Sequence, residues 1–138
     1  MNLTMHSLIG ATLAMTFAGA AAFAEDRKSD HAKSFSGIAS YYSKDYHGKT
    51  ARGDFYDAAK FTAAHRTLPF GTRLRVTGPG NRSVVVEVND RGPFIKTRVL
   101  DLSFAAAKEL RIVGRGLARV TAQVEQAGLT TVSDRSTR

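Results

Sequence analysis

The amino-acid sequence predicts a mainly β protein: a small closed barrel with one short helix. Three observations lead there. Apolar and polar residues alternate in several short segments, the pattern of strands wet on one face. A glycine- and proline-rich turn joins two of those segments as a hairpin. A single alanine-rich stretch has helical character and lies before the last strand. Several short strands and one helix in about 90 residues fit a closed barrel better than a sandwich.

Taken in order, Met1 to Ala24 contain no Lys, Arg, Asp or Glu, and Leu8 to Phe23 form an apolar run. The run ends in Ala22-Phe23-Ala24, the small-x-small pattern of a cleavage site, just before Glu25 and Asp26. It is shorter than the roughly 20 apolar residues of a membrane span. Residues 1–24 are therefore expected to be a cleavable signal peptide. A buried N-terminal helix is the other reading. Residues 25–36 are charged and small without periodicity and read as a linker.

The domain is expected over 37–126. From Gly37 the pattern turns β-like, with Ile38, Ser40 and Tyr42 on one face and Ala39 and Tyr41 on the other. His47 to Tyr56 carries Gly48 and Gly53 among polar residues and reads as a loop. Thr72 to Thr77 alternates Leu74 and Val76 with arginine and threonine. Gly78-Pro79-Gly80-Asn81 turns the chain, and Val84, Val86 and Val88 share a face of the following strand. Phe104 to Leu110 is the helix, with Ser103 or Asp101 as its cap. Leu117 to Glu125 is the last strand, with Ala118, Val120, Ala122 and Val124 inward. Residues 127–138 are polar and read as a flexible tail.

Composition narrows the function. The 138 residues suit one domain, and 43% of them are hydrophobic. There is no cysteine, hence no disulfide, thiolate metal site, cysteine nucleophile or cysteine-borne lipid. The formal charge is +8, and the first 24 residues contribute nothing to it. A basic exported protein meets acidic envelope polymers, whereas nucleic acid or an anionic membrane is suggested by charge alone. Arginine and lysine are scattered, with no basic helix or recognition motif, so no nucleic-acid partner is expected.

Four segments share a family pattern: Gly37-Ile38-Ala39-Ser40-Tyr41-Tyr42; His47 to Asp54, containing Thr50-Ala51-Arg52-Gly53-Asp54; Thr62-Ala63-Ala64-His65-Arg66-Thr67-Leu68-Pro69; and Val88-Asn89-Asp90-Arg91-Gly92-Pro93-Phe94. Asp101-Leu102-Ser103 before the helix completes the set. Together they resemble the rare lipoprotein A family, from Gly37 to about Glu125. The resemblance implies a six-stranded double-psi β-barrel with one short helix, a barrel shared with expansins and one group of lytic transglycosylases. Active members of the family cleave the bond between N-acetylmuramic acid and N-acetylglucosamine in peptide-poor glycan, leaving 1,6-anhydro ends. The family's lipidated cysteine is missing here.

By the same resemblance Asp90 is the candidate general acid/base. The sugar's own C6 hydroxyl is the nucleophile, so one acid suffices where ordinary glycosidases need a carboxylate pair. That acid must be protonated near neutral pH, above the reference value of about 3.9 for aspartate. Asp-x-Gly-Pro is also good turn chemistry, and both roles can hold together. His65 matches a family histidine that would orient the acid or the sugar; a packed core histidine is the alternative. Asp54 stands where the family has glutamate, one methylene shorter. Asp101 is a supporting candidate, set against an N-cap role. Tyr41, Tyr42, Tyr46 and Phe55 are candidates to line a sugar groove, set against ordinary packing. His47 and His65 lack metal-ligand spacing, so no metal and no cofactor are expected.

The expected function is a septal or cell-wall peptidoglycan lytic transglycosylase, soluble and unlipidated in the periplasm or beyond, and monomeric. The alternative is a non-catalytic, expansin-like module binding peptidoglycan or another polysaccharide.

Overall fold

The computed structural model describes residues 33–128. The expected signal peptide, most of the expected linker and all but the first two residues of the expected tail lie outside them.

Six strands close into a barrel. They are β1 (Ser34–Tyr41), β2 (Thr62–Ala64), β3 (Arg73–Thr77), β4 (Ser83–Asp90), β5 (Arg98–Leu102) and β6 (Ala118–Gln126). Around the barrel they run β1-β5-β2-β4-β3-β6. The β1/β5 and β2/β4 pairs are parallel and the rest antiparallel. The expected mainly β barrel with one short helix is what forms.

Alternation drives the long strands. Leu74 and Val76 of β3 point inward opposite Val86 and Val84 of β4, while Arg73 and Arg75 stay wet. Val120 and Ala122 of β6 close the barrel against β1 and β3, and Arg119, Thr121 and Gln123 face water. Leu74, Val76, Val86, Val88, Leu100 and Leu102 are fully buried. Each such side chain contributes roughly 1.5–3 kcal/mol on leaving water. Val124 is only half-buried, because β6 leaves the core at its end.

Three details differ from the sequence reading. β1 begins at Ser34, ahead of Gly37, because Ser34 to Ser36 pair with Thr121 to Gln123 of β6. Two strands carry no alternation that would announce them. β2 is three residues long, and in β5 Leu100, Asp101 and Leu102 are all buried in succession. The third concerns helix α1 (Phe104–Glu109). Ser103 is its N-cap, its Oγ accepting from the Ala106 amide at 3.3 Å. Asp101 does not cap it: it lies within β5, paired with Ser40 of β1 and Ala64 of β2.

Candidate active site

Asp90 is the last residue of β4, beside β2. Its backbone oxygen accepts from the His65 amide at 3.2 Å, which ties the two family segments together. Its carboxylate is held by three donors. Oδ1 accepts from the backbone amides of Ala51 and Arg91, both at 2.8 Å. Oδ2 accepts from the Tyr42 hydroxyl at 3.1 Å. The loop from His47 to Tyr56 thus folds back onto the end of β4, anchored by the Lys49–Phe55 bridge and by Arg52 N–H on the Asn89 carbonyl.

Tyr42 sits in an aromatic cluster. Its ring stacks on Tyr46 with centroids 5.3 Å apart and meets Tyr56 at 5.3 Å. Burial pushes its hydroxyl well above the usual tyrosine range. The Asp90 carboxylate adds to this by charge and hydrogen bond, and the Asp101 charge adds a little more. Tyr42 is accordingly a phenol, a proton donor toward Asp90, at any physiological pH.

Asp101 is on β5, separated from β4 by β2, and 9% exposed. Its Oδ1 accepts from the Ser40 hydroxyl and from Arg98 Nε at 3.2 Å. Its Oδ2 faces Gly92: a Cβ on that residue would lie 3.7 Å from the oxygen and 3.7 Å from the Phe94 ring. Gly92 has φ +128°, a conformation that L side chains rarely adopt. The turn after Asp90 therefore stays bare of side chain beside the buried Asp101 carboxylate.

His65 plays a different part. Its Nδ1 accepts from the amides of Thr67 and Leu68 at 3.1 and 3.0 Å. Its ring packs on Phe35 at 5.1 Å. Burial lowers its pKa, helped by the charges of Arg66 and Arg91, so the ring is neutral with its proton on Nε2. The half-buried ring organises the loop after β2, and its link to Asp90 is through the backbone. Arg91 staples the same loop, donating to the carbonyls of Leu68 at 2.8 Å and His65 at 3.2 Å while its guanidinium covers Phe70.

Asp54 is set apart. Its side chain is half exposed and paired with Arg52 at 2.7 Å, and Arg52 also holds Glu87 of β4. No hydrogen bond joins it to Asp90 or His65 among the described residues. Tyr41 also leaves the group: its hydroxyl accepts from the Gly114 amide at 2.9 Å and its ring packs on Phe104, on another side of the barrel. Tyr46 and Phe55 line one groove, and Tyr42 stacks on Tyr46 without lining it. Ser40, Arg98 and Glu87 were not singled out in the sequence. Strand register sets Ser40 against Asp101, Arg98 lies three residues before Asp101 on β5, and the folded-back loop brings Arg52 to Glu87.

Two grooves meet at Phe55, which is 71% exposed. One, of about 550 Å³, is bounded by Lys44, Tyr46, His47, Phe55, Tyr56 and Lys60. The other, of about 700 Å³, has Arg52, Asp54, Glu87 and Asn89 in its wall. Asp90 lines neither; it touches the first through Tyr42 and the second through its neighbours Arg52 and Asn89. Among the described residues no three His, Cys, Asp or Glu side chains gather as a metal-ligand set. No helix there is long and apolar enough to cross a membrane.

Comparison with known proteins adds the following. A family described as lytic transglycolase matches residues 34–122. The chain is similar to the probable endolytic peptidoglycan transglycosylase RlpA of Nostoc sp., 53% identical over 95 residues, covering 66% of this chain and 26% of that protein. It is also similar to the endolytic peptidoglycan transglycosylase RlpA of Haemophilus influenzae, 48% identical over 98 residues, covering 68% of this chain and 34% of that protein. The chain thus spans between a quarter and about a third of these relatives' length. Among solved structures, the apo expansin of Clavibacter michiganensis superposes with a TM-score of 0.54 at 26% identity, over 70% of this chain and 53% of that one.

Proposed function

The chain belongs to the lytic transglycolase family of double-psi β-barrels, and from that membership we propose that it is a peptidoglycan lytic transglycosylase with Asp90 as its general acid/base. The observation that carries the reading is the setting of Asp90: a carboxyl fixed at the end of a barrel strand by two amides and one phenol, beside an aromatic cluster. Its substrate is the glycan strand of the cell wall, in peptide-poor stretches, and its site of action is the septal or other wall outside the cytoplasm. Export follows from residues 1–24, with cleavage before Glu25. The chain acts as a soluble monomer.

In the reaction, Asp90 delivers a proton from Oδ2 to the oxygen leaving C1 of the muramoyl residue. The C6 hydroxyl of the same sugar then closes onto C1 and returns its proton to Asp90. One C–O bond breaks, one forms, no water is consumed, and the acid ends as it began. The two amides on Oδ1 leave Oδ2 as the oxygen that exchanges the proton. Tyr42 keeps that oxygen aimed, since a phenol can donate to the carboxylate or accept from the acid. Asp101 supports the site from β5, across β2 from Asp90, and His65 shapes the loop that holds the Asp90 backbone.

A second reading, a binding module without turnover, has one observation in its favour. Asp54, in the family's glutamate position, is tied up by Arg52 rather than directed at Asp90. Mass spectrometry of soluble products from peptide-free glycan decides between them. Ends bearing 1,6-anhydromuramic acid support the transglycosylase, reducing muramic ends indicate a hydrolase, and binding without product leaves the module.

A further inference from the structure

The two grooves that meet at Phe55 differ in charge. The Asp54 groove counts three acids, Asp54, Asp57 and Glu87, against Arg52 and Lys60, and two of the three acids are already bound by Arg52. The Tyr46 groove has Lys44 and Lys60 against Asp57 alone. Asp57 is itself engaged, its Oδ1 accepting from the Ala59 amide at 2.9 Å. Neither lysine forms a salt bridge among the described residues. Two exposed ammonium groups therefore face a groove with a single carboxylate, one oxygen of which already accepts a backbone amide.

The walls between them suit a sugar ring. Tyr46 and Tyr56 pack at 5.4 Å with tilted planes, and the Phe55 ring stands out at the rim. One face of Phe55 is covered by the Lys49 ammonium, 5.3 Å from its centroid. Gly48 makes this arrangement feasible: a Cβ there would lie 2.1 Å from the Tyr46 hydroxyl, so any side chain would displace that ring. Through Tyr42 the groove is one stacked ring removed from the Asp90 carboxylate.

We propose that the Tyr46 groove is a carboxylate-reading subsite, in which Lys44 and Lys60 take the free acid group of an acidic pyranose whose ring lies against Tyr46 and Phe55. It rests on the proposed glycan substrate and adds a direction to it. The acidic sugar sits on the lysine side of Phe55, and the neutral amino sugar runs toward Arg52 and Asn89. It also supplies a reason for preferring peptide-poor glycan, since a stem peptide converts this carboxylate into an amide and removes its charge.

The test uses the full chain carrying Asp90→Asn, so that binding is measured without turnover. Ligands are a peptide-free muramoyl tetrasaccharide, the same fragment with its carboxylates reduced to alcohols, a peptide-bearing fragment, and a neutral tetramer of N-acetylglucosamine. Lys44→Gln/Lys60→Gln is expected to lose about five- to tenfold affinity for the peptide-free acidic fragment at low salt, within the range of two exposed ion pairs. Affinity for the reduced and neutral fragments should be unchanged, and the salt dependence of acidic-fragment binding should flatten. The double arginine variant should restore both. Unchanged affinity in the glutamine variant overturns the proposal, as does an equal loss for neutral and acidic fragments. A loss seen only with the peptide-bearing fragment assigns the carboxylate to the peptide and overturns the sugar assignment. Absence of anhydro product from the wild-type chain would remove the transglycosylase reading and leave this binding difference standing.

Discussion

Replacing Asp90 in two ways separates its chemistry from its place in the fold. In Asp90→Asn the amide oxygen can still accept from Ala51 and Arg91, and the new NH2 meets the Tyr42 oxygen, which can accept. All three contacts survive in altered polarity, so stability should change by under about 1 kcal/mol, at most about 4–8 °C in Tm for a domain of this size. The amide has no proton to give, so release of anhydro product should fall by about 10²–10⁴-fold. Asp90→Ala removes the acceptor from all three donors. Each of these hydrogen bonds is worth about 0.5–3 kcal/mol according to the charge of its acceptor, and water replaces part of that at a half-buried site. A net loss of about 2–4 kcal/mol follows, or roughly 8–32 °C in Tm. Thermal melts and product release per folded molecule measure both quantities. Turnover by Asp90→Asn within a few-fold of wild type would refute the acid/base role. An alanine variant as stable as wild type would refute the account of how the loop is held.

Three further outcomes are expected. Thr50 Oγ1 is buried without a hydrogen-bond partner among the described residues, so Thr50→Val should be neutral or stabilise by up to about 1 kcal/mol; a clear drop in Tm would mean that the hydroxyl is in use. The depressed pKa of His65 means that the unfolded chain takes up a proton, from about pH 6.5 downward, that the folded chain refuses, so its contribution to stability is present above that pH and is lost on acidification. His65→Asn keeps an acceptor for the Thr67 and Leu68 amides and should flatten that part of the pH dependence in denaturant unfolding; identical slopes would show that another group is responsible. Asp54→Glu should retain the Arg52 pair and raise turnover, while Asp54→Ala should lower turnover at a stability cost below about 1 kcal/mol, because the pair is exposed; equal turnover in all three proteins would show that the position does no chemistry.

The elements legible in the sequence are those with one wet face. The β3–β4 hairpin and β6 alternate because arginine and threonine meet water on one side while valine and leucine meet the core on the other. Asp90, His65 and Asp54 were legible as members of family segments, and the helix start was legible from Ser103 and its alanines. What closure decides was not legible. β2 is too short to show a period, and β5 is covered by its neighbours as the barrel closes, so neither alternates. Asp101 looks like a helix cap in one dimension; the parallel register of β1 with β5 sets it against Ser40 instead. The same closure delivers the Tyr42 hydroxyl to Asp90 across 48 positions and makes Arg52 the bridge between Asp54 and Glu87, 35 positions beyond it. Local sequence determined which segments could be strands and which residue types carry the chemistry. Which side chains meet is a property of strand order and register, set by burying every apolar face at once, and only the tertiary structure holds that information.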